Sequence, residues 1–65
     1  MNGQNREDIR LGARVAIVQK HHQGTGELTE GVVADILTNS QNHPRGIKVR
    51  LESGEVGRVR EIYEL

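Results

Sequence analysis

Apolar residues fall into four runs rich in β-branched side chains, Val15 to Val18, Val32 to Leu37, Ile47 to Leu51 and Val56 to Ile62, with turn formers between them. None has the length or the three-to-four-residue spacing of an amphipathic helix, so the pattern predicts strands. In Arg14-Val15-Ala16-Ile17-Val18-Gln19, Val15 and Ile17 share one face, and Ile9 and Leu11 upstream are placed to close that end of a core. The second strand, Leu28 to Leu37, is expected to be the longest, with Gly31 as the pivot. A strand of that length in a small sheet bends enough to serve both halves of a barrel. In Ile47-Lys48-Val49-Arg50-Leu51 apolar and basic residues alternate, as on a strand with one buried face.

The last hairpin can be read to its register. Glu52-Ser53-Gly54 fits a three-residue loop whose final position, at positive φ, falls to glycine. Leu51 then faces Glu55, Val49 faces Gly57, Lys48 faces Arg58 and Ile47 faces Val59. A two-residue Ser53-Gly54 turn would instead set Arg58 against Val49 on the core side, at the cost of a buried charge. Two polar loops complete the pattern: His21 to Glu27, and Thr38 to Gly46, where Pro44 occupies a preferred β-turn position with Gly46 two residues on. With a short final strand at Ile62 to Leu65, the expectation is an all-β fold: a small five-stranded SH3-like barrel, a strongly bent antiparallel meander. It spans residues 9–65 behind a flexible segment, residues 1–8.

Composition narrows what such a barrel can do. A chain of 65 residues makes one domain, and folding a domain of that size hides only about 60% of the surface its unfolded chain exposes. One Tyr and no Phe or Trp leave the core to Val, Ile and Leu, without aromatic walls for a polyproline groove or platforms for stacking bases. The chain has no cysteine, hence no disulfide, thiolate ligand or thiol nucleophile. Met1 to Arg10 is polar, without the apolar core of a signal peptide, and no run approaches a membrane span, so a cytoplasmic protein without a membrane partner is expected.

Nine Lys and Arg balance nine Asp and Glu, but between Asn42 and Arg60 five cations, Arg45, Lys48, Arg50, Arg58 and Arg60, face only Glu52 and Glu55. Lys48, Arg50, Arg58 and Arg60 form a basic ladder on the outward face of the last hairpin, and like charges opposed across a sheet repel one another unless an anion relieves them. Phosphate groups suit the face, with Arg45 and Lys20 adding from neighbouring loops. The same positions also fit an ordinary solvated face. The expected partner is structured RNA or the ribosome, and the alternative is an acidic protein surface on that face or a strand added at a sheet edge.

Other candidate chemistry is thin. Gly24-Thr25-Gly26 lacks the Gly-Lys-Ser/Thr ending and the helix of a P-loop. His21, His22 and His43 lack the spacing of a metal site, and Ser40 and Ser53 lack a positioned base. No catalytic residue, metal or cofactor is expected, and no enzyme activity.

The chain resembles the YwbE-like family of small uncharacterised proteins. The resemblance runs through Asn2-Gly3, Arg6, Gly12, Val15-Ala16-Ile17-Val18, Thr25-Gly26, Leu28-Thr29, Gly31, Ile36-Leu37-Thr38, His43-Pro44, Gly46 to Leu51, Gly54 and Val56 to Val59. It departs at His21-His22-Gln23, where an acidic residue before the Gln is expected, and at Arg45, where a second His is more usual. The resemblance implies the extent of the domain rather than an activity. A looser similarity to KOW-type modules of ribosomal proteins and transcription factors, in Gly12, Val15, Ile17, Gly31-Val32-Val33 and Ile36, implies RNA or ribosome-associated binding by analogy of fold.

Overall fold

Four strands, β1 (Arg14–Gln19), β2 (Thr29–Ile36), β3 (Lys48–Leu51) and β4 (Val56–Glu64), follow one another around a closed antiparallel barrel in which β4 returns to pair with β1. The structure, a computed structural model, describes residues 4–22 and 24–64, the side chains of His22 and Glu64 excepted. Alternation along the strands sends Val15, Ile17, Val33, Val49, Leu51 and Val59 inward, where they meet Ile9, Ala13 and Ile47 in one aliphatic core. Ile36 and Ile62 pack against it from the rim. Among the described residues no helix is long and apolar enough to cross a membrane.

The hairpin register read from the sequence is the one that forms. Lys48 pairs with Arg58 and Val49 with Gly57, while the Leu51 N–H donates to the Glu55 carbonyl at 2.8 Å and the Val59 N–H to the Ile47 carbonyl at 2.9 Å. Gly54 closes the loop at φ 103°. The turn into β3 also forms as expected, its Gly46 N–H bonded to the His43 carbonyl at 3.0 Å across Pro44 and Arg45.

Five strands were expected, and four form among the described residues, because Ile62 to Glu64 continue β4 instead of starting afresh. Two register shifts against β1 absorb the bend: Arg60 is the extra residue between the Ile17–Val59 and Ala16–Glu61 pairs, and Tyr63 the extra one between Val15–Ile62 and Arg14–Glu64. Leu65, assigned to the fifth strand, lies outside the described residues. β4, with nine residues, is also longer than β2, with eight. The bend in β2 falls beyond Gly31: Thr29 to Val32 pair with β1, the pairing with β3 begins at Val33, and Ala34 is the bulged residue. Gly31 itself sits in regular pairing with Val15.

Leu11 does not close the core. The Ala13 N–H donates to the Arg10 carbonyl at 3.0 Å, making a tight turn that holds Leu11 65% exposed at its apex and brings Ala13 inside instead. The segment expected to be flexible makes backbone contacts over the residues described: Asn5 bridges Asn42, the Arg6 N–H donates to the Gln41 carbonyl at 2.7 Å, and the His43 N–H to the Gln4 carbonyl at 2.9 Å. A single 3-10 turn at Arg6–Asp8 then delivers Ile9 to the core. Met1 to Gly3, the rest of that expected segment, are outside the described residues.

Barrel closure depends on close backbone approach. A side chain on Gly57 would run into the carbonyl of Val18 on β1, and one on Gly46, at φ +101°, into the carbonyl of Val59 on β4. Gly57→Ala should therefore lower stability by roughly 1–3 kcal/mol, the usual cost of overpacking. Gly24→Ala, at an open site with nothing nearby, should change it by less than about 0.5 kcal/mol. Chemical denaturation of both variants checks this, and equal midpoints would contradict the close-approach reading. The hairpin loop supplies a second test. The Ser53 hydroxyl donates to the Glu55 carboxylate and, with Glu55's own backbone N–H, holds that carboxyl below its ordinary pKa. A depressed carboxyl stabilises the fold above its unfolded pKa, and the contribution is lost as pH falls through the folded value. Ser53→Ala should move the Glu55 pKa upward in an NMR carboxyl titration, whereas an unmoved titration would exclude the hydroxyl as the cause.

Candidate nucleic-acid interface

Three of the arginines singled out from the sequence converge on one groove, and different local devices deliver them. Arg45 rides the Pro44-Arg45 turn, where its N–H also donates to His43 Nδ1 at 3.1 Å. Arg58 stands on β4 between Val18 of β1 and Lys48 of β3. Its Nη1 donates to the Gly46 carbonyl at 3.2 Å and to Thr38 Oγ1 at 3.3 Å, and the same hydroxyl accepts the Lys48 N–H at 2.8 Å. The half-buried guanidinium is thereby held across the start of β3, while its Nε and Nη2 have no bonded acceptor among the described residues. Arg60 is the bulged residue of β4, and the bulge turns it and Glu61 outward in succession.

The groove has a volume of about 590 Å³ and is lined by Gln4, Val18, Pro44, Arg45, Gly46, Arg58, Val59 and Arg60. Among the described residues its lining contains no carboxylate. Val18 is only 2% exposed although it lies in the outward phase of β1, opposite Val15 and Ile17. It is an apolar floor beneath cationic walls. Gln4 closes one edge, its Nε2 donating to the Pro44 carbonyl at 2.8 Å.

The expected ladder is thus only partly assembled. Lys48 lies across from Arg58 and is exposed, with no carboxylate in ion-pair reach among the described residues, but it lines the outside of the groove rather than the groove itself. Arg50 is neutralised: the β2–β3 pairing sets it beside Asp35, whose Oδ2 accepts from its Nη1 at 3.0 Å. Lys20 begins the 3-10 turn Lys20–His22 past the end of β1, exposed and outside the groove. Gln4, Val18, Pro44 and Gly46 belong to the site without having been singled out for it. Val18 alone left a signal, an apolar residue where the alternation calls for a polar one.

Charge changes sign along β1. Val18 has Arg58 beside it, whereas Ala16, two residues earlier, is flanked by Glu30 and Glu61. There Tyr63 loses part of its hydration and lies close to both carboxylates, one of which, Glu30, also takes a hydrogen bond with it, so its phenol titrates above its ordinary range. The zero net charge of the chain therefore conceals local differences in sign along β1. Among the described residues no three His, Asp or Glu side chains gather where a metal ion could sit.

Residues 2–62 match the family described as "Uncharacterized conserved protein (DUF2196)". The "Uncharacterized protein YwbE" of Bacillus subtilis (strain 168) is 58% identical over 62 residues, 95% of each chain. The chain belongs to this YwbE-like family. No solved structure matches it. The YwbE-like match takes in every residue that lines the groove, from Gln4 to Arg60.

Proposed function

We propose that the domain is a non-catalytic cytoplasmic module that binds the phosphate backbone of RNA in the groove between the Pro44-Arg45 turn and β4. The observation that carries this reading is the convergence of Arg45, Arg58 and Arg60 on one groove whose lining, among the described residues, has no carboxylate. Guanidinium groups offer forked donors that match phosphate oxygens. Arg58 is already oriented by its bonds to Gly46 and Thr38, so little side-chain freedom is lost when it engages an anion. Lys48 extends the positive potential to the neighbouring face.

The small charge footprint favours RNA of defined shape over a long duplex. Duplex DNA carries one charge per about 1.7 Å and is gripped by broad basic surfaces, whereas three arginines in a groove suit the locally crowded phosphates of a folded RNA. The likeness to KOW-type modules points the same way. Barrel closure confines the alternative of strand addition to short stretches, such as the far edges of Thr29 to Glu30 and of Glu61 to Glu64, that pair on one side only.

Anisotropy titration of a labelled RNA hairpin across a range of salt tests the reading. Arg45 and Arg60 are suited to substitution, because their side chains make no hydrogen bond or ion pair among the described residues. Each phosphate contact contributes about 0.7–0.9 to the slope of log affinity against log salt. The pair Arg45→Ala and Arg60→Ala should therefore flatten that slope by roughly 1.5 and leave thermal stability unchanged. A slope that does not move would exclude the groove as the phosphate site.

A further inference from the structure

A second cleft, of about 340 Å³, is lined by Asn5, Arg6, Glu7, Asn39, Gln41 and Asn42. The N-terminal segment helps wall both clefts, with Gln4 in the arginine groove and Asn5 and Arg6 in this one. The pairing of that segment with the loop before β3 consumes backbone groups, through the Asn5–Asn42 bridge and the Arg6 N–H to Gln41 carbonyl bond. Arg6 also spends its Nε on the Thr38 carbonyl at 3.1 Å. The side-chain amides of Asn5, Asn39, Gln41 and Asn42 are left exposed, with no hydrogen-bond partner among the described residues.

Each such amide carries a donor and an acceptor side by side, the arrangement that pairs with the edge of a nucleobase. Glu7 disfavours a phosphate here and can accept from an exocyclic amino group. Four amides, one carboxylate and a partly engaged guanidinium thus suit a neutral, edge-rich group rather than an anion. We infer that this cleft takes an unpaired nucleobase of the same RNA whose phosphates lie in the arginine groove, and selects it by its hydrogen-bonding edge. The inference rests on the phosphate-binding reading above and adds a source of sequence preference to it. The scarcity of aromatic residues is no obstacle, because the contact is with base edges and not base faces.

The test uses the full chain and four labelled RNA hairpins that share one stem and carry loops of only A, C, G or U. The wild type should separate the best loop from the worst by roughly tenfold, the discrimination of a good bidentate contact. The triple variant Asn39→Ala, Gln41→Ala, Asn42→Ala should bring the four affinities within about twofold of one another while keeping the salt slope. Asn39→Ala alone, at a residue outside the paired backbone, should shift the ratio in the same direction without touching the fold. Substituting Arg45 and Arg60 should weaken all four hairpins alike and preserve the ratio. A wild type that binds every loop equally, with salt-dependent affinity intact, would overturn the base-reading inference and leave the phosphate groove standing. Retained discrimination in the triple variant would overturn it too, and binding to none of the hairpins would overturn both.

Discussion

The barrel can close only where its backbones pass without side chains between them. Gly57 lets β4 approach the Val18 carbonyl of β1, and Gly46 lets the turn before β3 approach the Val59 carbonyl of β4. A core of Val, Ile, Leu and Ala has no bulky aromatic ring to hold strands apart, so a small circumference and tight contacts go together. These two contacts also build the groove. The first sets Arg58 beside Val18, and the second presses the Pro44-Arg45 turn against β4, with the Gly46 carbonyl in reach of the Arg58 guanidinium. Stability and candidate function consequently share the same few residues of backbone.

Legibility from the sequence followed the range of the interactions. The last hairpin could be read pair by pair, because a three-residue loop and an alternating strand determine register locally, and the Lys48–Arg58 opposition came with it. The Arg50–Asp35 ion pair was not legible, since an eleven-residue connection, Leu37 to Ile47, leaves the β2–β3 register unspecified by turn chemistry. Bulges at Arg60 and Tyr63 have no compositional mark either, and they turned an expected fifth strand into the continuation of the fourth. Nothing local joins Gln4 or Asn5 to the loop before β3, so the tethered segment and both clefts it borders emerged only from the fold. Val18 was the exception with a mark in the sequence, an apolar residue in the outward phase of its strand, although Ala16 shares that mark without lining the groove.

Net charge is a poor guide to this surface. Neighbours of β1 change from Glu30 and Glu61 beside Ala16 to Arg58 beside Val18 within two residues, so the local charge differs from the zero sum of the chain. Half of the six expected cations, Lys20, Lys48 and Arg50, are either neutralised or stand outside the groove, and the remaining three line a narrower site than a ladder. One oriented guanidinium, that of Arg58, with Arg45 and Arg60 beside it in the groove, suits the proposed contact with a folded phosphate chain better than nonspecific adhesion to any polyanion.

An anionic RNA segment is proposed to lie between the Pro44-Arg45 turn and the bulged half of β4. Backbone amide NMR of the labelled protein, titrated with an RNA hairpin, tests that location directly. The largest shift changes are expected at Gln4, Arg45, Gly46, Arg58 and Arg60, with Glu30, Glu61 and Tyr63 unmoved. Changes centred on Glu30 and Tyr63, or spread evenly over the barrel, would contradict it.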